Sequence, residues 1–219
     1  VETTGHLGVA VGANGAVLYD LATQTLLKAH TLDVDVLGRL AAELRESFPA
    51  VQFAAEYGES FAAEPGYVHD WTINPRVDRQ GQPIAPPVVA ELARVLSRPA
   101  VKLLAKDRDA DADDFLERAE ILIGQRASVT HSSSFGLLEI AAPGVTKASG
   151  LAEVAASHGI TAEEVVAIGD MPNDVPMLQW AGTSYAVANA HPAAIAAAGS
   201  VVGGNDDDAV AALIESLLG

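Results

Sequence analysis

The chain has 219 residues, 49% hydrophobic and 19% charged, enough apolar content for a sizeable core in one large domain or two small ones. Thirteen Lys and Arg against 29 Asp and Glu give a net charge of −16, so the surface repels nucleic-acid phosphates and anionic membranes. Cysteine is absent, which excludes disulfides, zinc–thiolate sites and thiol nucleophiles and fits a reducing cytoplasm. No apolar run approaches the ~20 residues of a membrane span, and the start shows neither a signal-peptide nor a lipidation pattern.

In chain order, Val9 to Val11 reads as a core strand. Ala16 to Tyr19 and Leu26 to His30 are apolar-rich arms of a hairpin whose turn is Asp20 to Thr25. Val36, Leu40, Leu44 and Phe48 recur at helical spacing, and Val51, Phe53 and Ala55 alternate as a strand does. Periodicity then fails from Gly58 to Pro87, a proline-punctuated stretch that predicts loop. Helices are expected at Pro87 to Leu96 and Asp113 to Ile123, with strands at Val101 to Ala105, Ser128 to Ser132 and Leu137 to Ala141. The acids of Asp107 to Asp114 and Asp206 to Asp208 precede apolar helical patterns and read as solvated helix caps.

From Ser149 the rhythm becomes regular. A helix to His158 ends at Gly159, and the wholly apolar Val165 to Ile168 reads as a strand buried on both faces. A helix at Pro172 to Trp180, a strand at Tyr185 to Ala188, a helix at Pro192 to Ala198 and a strand at Val201–Val202 follow. The last helix carries Val210, Leu213, Ile214 and Leu217 on one face. This alternation predicts parallel βαβ units. The fold class is therefore α/β, with an α+β unit of antiparallel strands inserted into it: residues 1–15 and 142–219 form the parallel-sheet core, and residues 16–141 the insertion.

Chemistry concentrates in VVAIGDMPNDVPM, Val165 to Met177. Ligands of open parallel sheets bind at the carboxyl ends of strands. Asp170 and Asp174 stand four apart around such a strand end, with Asn173 between them. Two hard oxygen donors suit Mg²⁺, completed by substrate phosphate and water. Capping of the next helix by Asp170 is compatible with that role but leaves the second acid and the Asn unexplained. Lys147 opens a helix, where a positive charge is slightly unfavourable. A bound phosphate or carboxylate accounts for it, and an ordinary exposed Lys does so equally well. Asn14-Gly15 is either a simple turn or a turn facing the cleft. Trp71 suits either a satellite core or stacking on a substrate, and His69, His131 and His191 have no ligand spacing and receive no role.

GDMPNDVPM, preceded by APGVTKASGL, together with GVAVGANGAVLYD, resembles the haloacid dehalogenase (HAD) superfamily of phosphohydrolases, in particular its Cof-type branch, subclass IIB. The resemblance covers nearly the whole chain. It implies a Rossmann-like core with an α+β cap and a Mg²⁺-dependent phosphatase of small phosphorylated metabolites. By position, Asp170 is similar to the metal ligand of the fourth motif, Asp174 to the acid supporting that metal site, Asn173 to a substrate-phosphate contact and Lys147 to the third-motif lysine, counted with Asp170 as catalytic. In such a family an aspartate attacks the phosphate ester and an aspartyl-phosphate is hydrolysed by water.

The family's Asp-x-Asp-Gly-Thr nucleophile motif and its Ser/Thr-Gly-Arg-like second motif do not occur here, and Thr3-Thr4-Gly5-His6 is no substitute for the latter. Asp33-Val34-Asp35 and Asp109-Ala110-Asp111 lie in the wrong contexts. The 219 residues alone are therefore expected to be inactive, as a core short of one βαβ unit and inclined to associate through exposed sheet edges. A shortened, non-catalytic metal- or anion-binding relative is the alternative. An unrelated flavodoxin-like or receiver-like domain would leave the α+β insertion unexplained.

Overall fold

The computed structural model describes residues 8–58, 60–67 and 88–219. The expectations for Thr3-Thr4-Gly5-His6, His69, Trp71 and most of Gly58 to Pro87 lie outside the described residues. The strands are β1 (Val9–Gly12), β2 (Val17–Asp20), β3 (Thr25–Ala29), β4 (Gln52–Glu56), β5 (Phe61–Ala63), β6 (Val88–Val89), β7 (Lys102–Asp111), β8 (Ser128–Thr130), β9 (Phe135–Ala141), β10 (Val166–Gly169), β11 (Thr183–Val187) and β12 (Ser200–Val202). The α-helices are α1 (Val34–Ser47), α2 (Leu92–Val95), α3 (Ala112–Ile123), α4 (Lys147–Ser157), α5 (Val175–Trp180), α6 (Pro192–Ala197) and α7 (Ala209–Leu218).

The chain divides into two compact units, each built on its own sheets. The first comprises Val1–Lys28, Thr130–Ser132 and Gly144–Gly219. Its parallel sheet has the order β10-β11-β12, with Val166 opposite Thr183 and Tyr185 opposite Ser200. The intervening α5 and α6 supply Leu178 and Ala194, which bury against Ala167. Val9–Val11 departs from expectation: β1 pairs antiparallel with β2 in a separate β1-β2-β3 sheet. A Gly-containing turn of three residues after β1 reverses the chain at once, so the neighbour in sequence becomes the neighbour in the sheet. On the last helix, Val210, Ile214 and Leu217 are solvent-exposed.

The second unit comprises Ala29–Val129 and Ser133–Pro143. Its six-stranded sheet has the order β6-β5-β4-β7-β9-β8, and β4, β7 and β9 pair antiparallel. One face is covered by α1 and α3, whose Leu37, Leu40, Leu44, Phe115 and Ile123 pack on Phe53, Leu103, Leu138 and Ile140. The other face carries Lys102, buried between Glu139 at 2.5 Å and Glu56 at 3.5 Å. The same face buries Leu104 with Ala54 and Ala63, so the consecutive Leu103 and Leu104 of β7 are both buried, one on each face of the sheet.

Three local expectations are corrected here. The helix foreseen over Pro87 to Leu96 shrinks to α2, because Val88–Val89 pairs in parallel with β5. Phe61–Ala63, inside the expected loop, is a strand, since Ala54 and Ala55 of β4 offer it partners. The acids Asp107 to Asp111 continue β7 through an irregular register. Only Asp111 acts as a cap, accepting from the backbone N–H groups of Asp113 and Asp114 at 3.1 Å.

Candidate metal and phosphate site

The first unit brings four of its polar side chains to the carboxyl end of β10. Strand β10 ends at Gly169, where a Cβ would lie 2.5 Å from that of Asp174. Any side chain there would push the following turn away from the strand. Pro172–Asp174 forms a 3₁₀ turn that feeds α5. Asp174 is 3% exposed. Its Oδ2 accepts from the backbone N–H groups of Asp170 at 3.0 Å and Met171 at 3.1 Å, so its carboxylate clamps the loop that presents Asp170.

The other oxygen of Asp174 receives Lys147 Nζ at 2.5 Å. Lys147 is the first residue of α4, whose N-cap Thr146 accepts from Ser149 N–H while Ser149 Oγ accepts from Thr146 N–H. This capping box fixes the helix start, and the ion pair to Asp174 compensates the cation at that end of the dipole. Asp170 is exposed. Partial desolvation of its carboxyl, then the charge of Asp174 and a hydrogen bond with it, raise its pKa above the ordinary carboxylate value, while Lys147 pulls it down.

Asn173 is 6% exposed. Its Nδ2 donates to Asn14 Oδ1 at 3.3 Å, and its Oδ1 is buried without a hydrogen-bond partner among the described residues. An unsatisfied buried acceptor costs about 1–3 kcal/mol. Asn14 belongs to the Ala13–Gly15 turn, in which all three residues have positive φ: 49°, 55° and 97°. Such conformations cost about 1–3 kcal/mol each for non-glycine residues and cluster at functional sites. At Gly15 only glycine fits without displacing the backbone, because a Cβ would meet the Thr146 carbonyl oxygen at 2.0 Å.

Lys147, Asp170, Asn173 and Asp174, singled out from sequence, are therefore neighbours, and Asn14 joins them from 159 positions away. Sequence spacing missed one further association. His131, 1% exposed, meets the ring of His191 edge-on at 5.8 Å between centroids. The backbone N–H of His191 donates to the Asp170 carbonyl at 2.8 Å. Sixty positions separate these histidines, so no local motif could have joined them.

The Asp170 carboxylate is a hard oxygen donor beside a second negative charge, which fits a small dication such as Mg²⁺. Asp174 has fewer lone pairs to offer because three donors already occupy it.

The sequence model of the haloacid dehalogenase-like hydrolases matches residues 2–214. Over 83 residues the chain is 41% identical to 5-amino-6-(5-phospho-D-ribitylamino)uracil phosphatase YbjI of Escherichia coli, a match that covers 38% of this chain and 31% of that protein. Over 214 residues it is 28% identical to pyridoxal phosphate phosphatase YbhA of the same organism, covering 95% of this chain and 77% of that one. The chain spans less than half the length of several curated relatives that it matches. In fold it is similar to the HAD subclass IIB sugar phosphatase BT4131, with a TM-score of 0.78 at 16% identity over 99% of this chain and 78% of that one.

Proposed function

Since this chain belongs to the haloacid dehalogenase-like hydrolase family, we propose that it supplies the metal- and phosphate-binding part of a Mg²⁺-dependent phosphatase acting on small phosphorylated metabolites. The observation that carries this is the Lys147–Asp174–Asp170 arrangement, in which one buried carboxylate holds both a cation and the backbone of a second, exposed carboxylate. Asp170 supplies the direct metal oxygen, and Asp174 supports it. Lys147 and the remaining amide hydrogen of Asn173 face the charge of a phosphoryl group. A bound Mg²⁺ would neutralise charge developing on the transferring phosphoryl oxygens. Phosphatases of pyridoxal phosphate and of a ribitylaminouracil phosphate among the relatives support a phosphate monoester as substrate. Substrate selection is assigned to the inserted residues 16–141, through the compact unit Ala29–Val129 and Ser133–Pro143 that most of them form. The cysteine-free composition fits a cytoplasmic setting, and no helix among the described residues is long and apolar enough to cross a membrane.

No Asp-x-Asp-Gly-Thr run occurs in these 219 residues, so binding is the decisive readout and turnover by the chain alone is expected to be absent. Titration calorimetry should show Mg²⁺ binding that Asp170→Asn abolishes, and inorganic phosphate binding in the presence of Mg²⁺ that Lys147→Ala weakens. Unchanged Mg²⁺ binding in Asp170→Asn would falsify the metal assignment. Phosphate release from a panel of esters by the wild-type chain, lost in Asp170→Ala, would overturn the expectation of inactivity and leave the site assignment standing.

A further inference from the structure

We propose that Asn14 is a positioning residue of this site, setting the carboxamide of Asn173 so that a donor is presented to the phosphoryl group; the inference rests on the phosphate-binding reading above. Asn173 sits in the 3₁₀ turn after β10, with its side chain buried. Of its two amide hydrogens one is engaged by Asn14 Oδ1, which leaves the second for an anion. Its Oδ1 receives no donor among the described residues. An amide with one unsatisfied end gains nothing from the protein on that side, so the bond to Asn14 is what selects its orientation.

The backbone around Asn14 supports the assignment independently. Ala13, Asn14 and Gly15 are three successive residues with positive φ, and Asn14 has the left-handed values φ 55° and ψ 37°. Asn is among the few residues with a side chain that adopt this conformation readily. The turn is held by the helix that carries Lys147: the Gly15 Cα hydrogen stands where any Cβ would strike the Thr146 carbonyl. The same contact that seats the helix start therefore also aims Asn14 at Asn173. A turn needing only chain reversal would have no use for a side chain bonded to a residue 159 positions away.

The test uses the isotope-labelled full chain and two variants. Asn14→Gly keeps the left-handed backbone and removes the amide, and Asn14→Asp keeps an acceptor oxygen. Three quantities are read: the side-chain NH₂ resonances of Asn173, the affinity for inorganic phosphate with Mg²⁺ present, and the affinity for Mg²⁺ alone. In Asn14→Gly the Asn173 NH₂ resonances should lose their hydrogen-bonded shift. Phosphate affinity should drop about tenfold, the loss of one hydrogen bond to a charged group, with Mg²⁺ affinity unchanged. Asn14→Asp should retain the NH₂ signature. Unaltered Asn173 resonances in Asn14→Gly overturn the inference, as does a parallel loss of Mg²⁺ affinity and thermal stability, which marks a merely structural role. If the resonances respond but the wild-type chain binds no phosphate, the positioning of Asn173 stands and the phosphate-binding reading falls.

Discussion

The two units are held together by different physics. In the unit of the six-stranded sheet, large side chains from two helices and three strands are wholly buried, among them Leu37, Leu44, Phe53, Phe115 and Ile140. Each contributes about 1.5–3 kcal/mol of burial. In the unit of the parallel sheet the buried cluster behind β10 is Ala167, Leu178 and Ala194, while Val166, Val201 and Ile214 stay exposed. What is tightly specified there is polar: a carboxylate with three donors, a capping box and an amide pair. One unit draws its order from apolar packing. The other concentrates it at the loops where a ligand would be held, and so depends on a few irreplaceable groups.

The sharpest way to break that contrast is to empty the larger core. Phe115→Ala removes a ring stacked edge-on to Phe48 at 4.6 Å and should cost about 3–5 kcal/mol. Denaturant unfolding followed by amide exchange should show the loss concentrated in residues 29–129. Asp174→Ala should come next, at about 2–3 kcal/mol, because it strands Lys147 and the N–H groups of Asp170 and Met171. Asp174→Asn, which keeps an acceptor, should recover part of this in the same assay. Gly15→Ala tests the backbone side of the contrast. With φ at 97° and a Cβ 2.0 Å from the Thr146 carbonyl, it should cost about 1–3 kcal/mol and weaken phosphate binding together with it. Equal stability of Gly15→Ala and wild type would remove the turn's claim to be specified by the helix start.

The smallest effect concerns pH. The folded-state pKa of Asp170 is raised above its unfolded value by desolvation and by Asp174. The native state therefore binds the proton more tightly, and stability falls as pH rises through the range between the two values. Asp170→Asn should raise the unfolding midpoint at neutral pH without Mg²⁺, and the difference from wild type should vanish below the ordinary carboxylate range. Added Mg²⁺ should reverse the order, stabilising wild type but not the variant. A midpoint gap that is constant with pH would rule out the titration of Asp170 as its cause.

Much of the parallel-sheet unit was legible in residue order. The run Val165 to Ile168, the Gly169-Asp170 turn and the helix entered through Pro172 lie where the pattern places them, within a residue or two, but the strand is not buried on both faces as expected, since Val166 is exposed. Such elements are local, each set by its own periodicity and caps. The α2 region and Phe61–Ala63 were not legible, because short strands take their identity from a partner rather than from propensity. Val88–Val89 is a strand only because Ala62 and Ala63 pair with it. The boundary between the compact units falls after Lys28, since β1, β2 and β3 share one sheet, a fact of pairing that no apolar pattern records.

By itself, then, the order of residues determined that Asp170, Asn173 and Asp174 stand together on one turn, since a four-residue spacing around a strand end leaves little else. It also determined the family to which the chain belongs. Only the tertiary structure decided that Lys147 pairs with Asp174, that Asn14 reaches Asn173, and that His131 lies against His191. Those contacts join residues 27, 159 and 60 positions apart. Such pairings arise from the way whole elements pack, which local spacing does not encode.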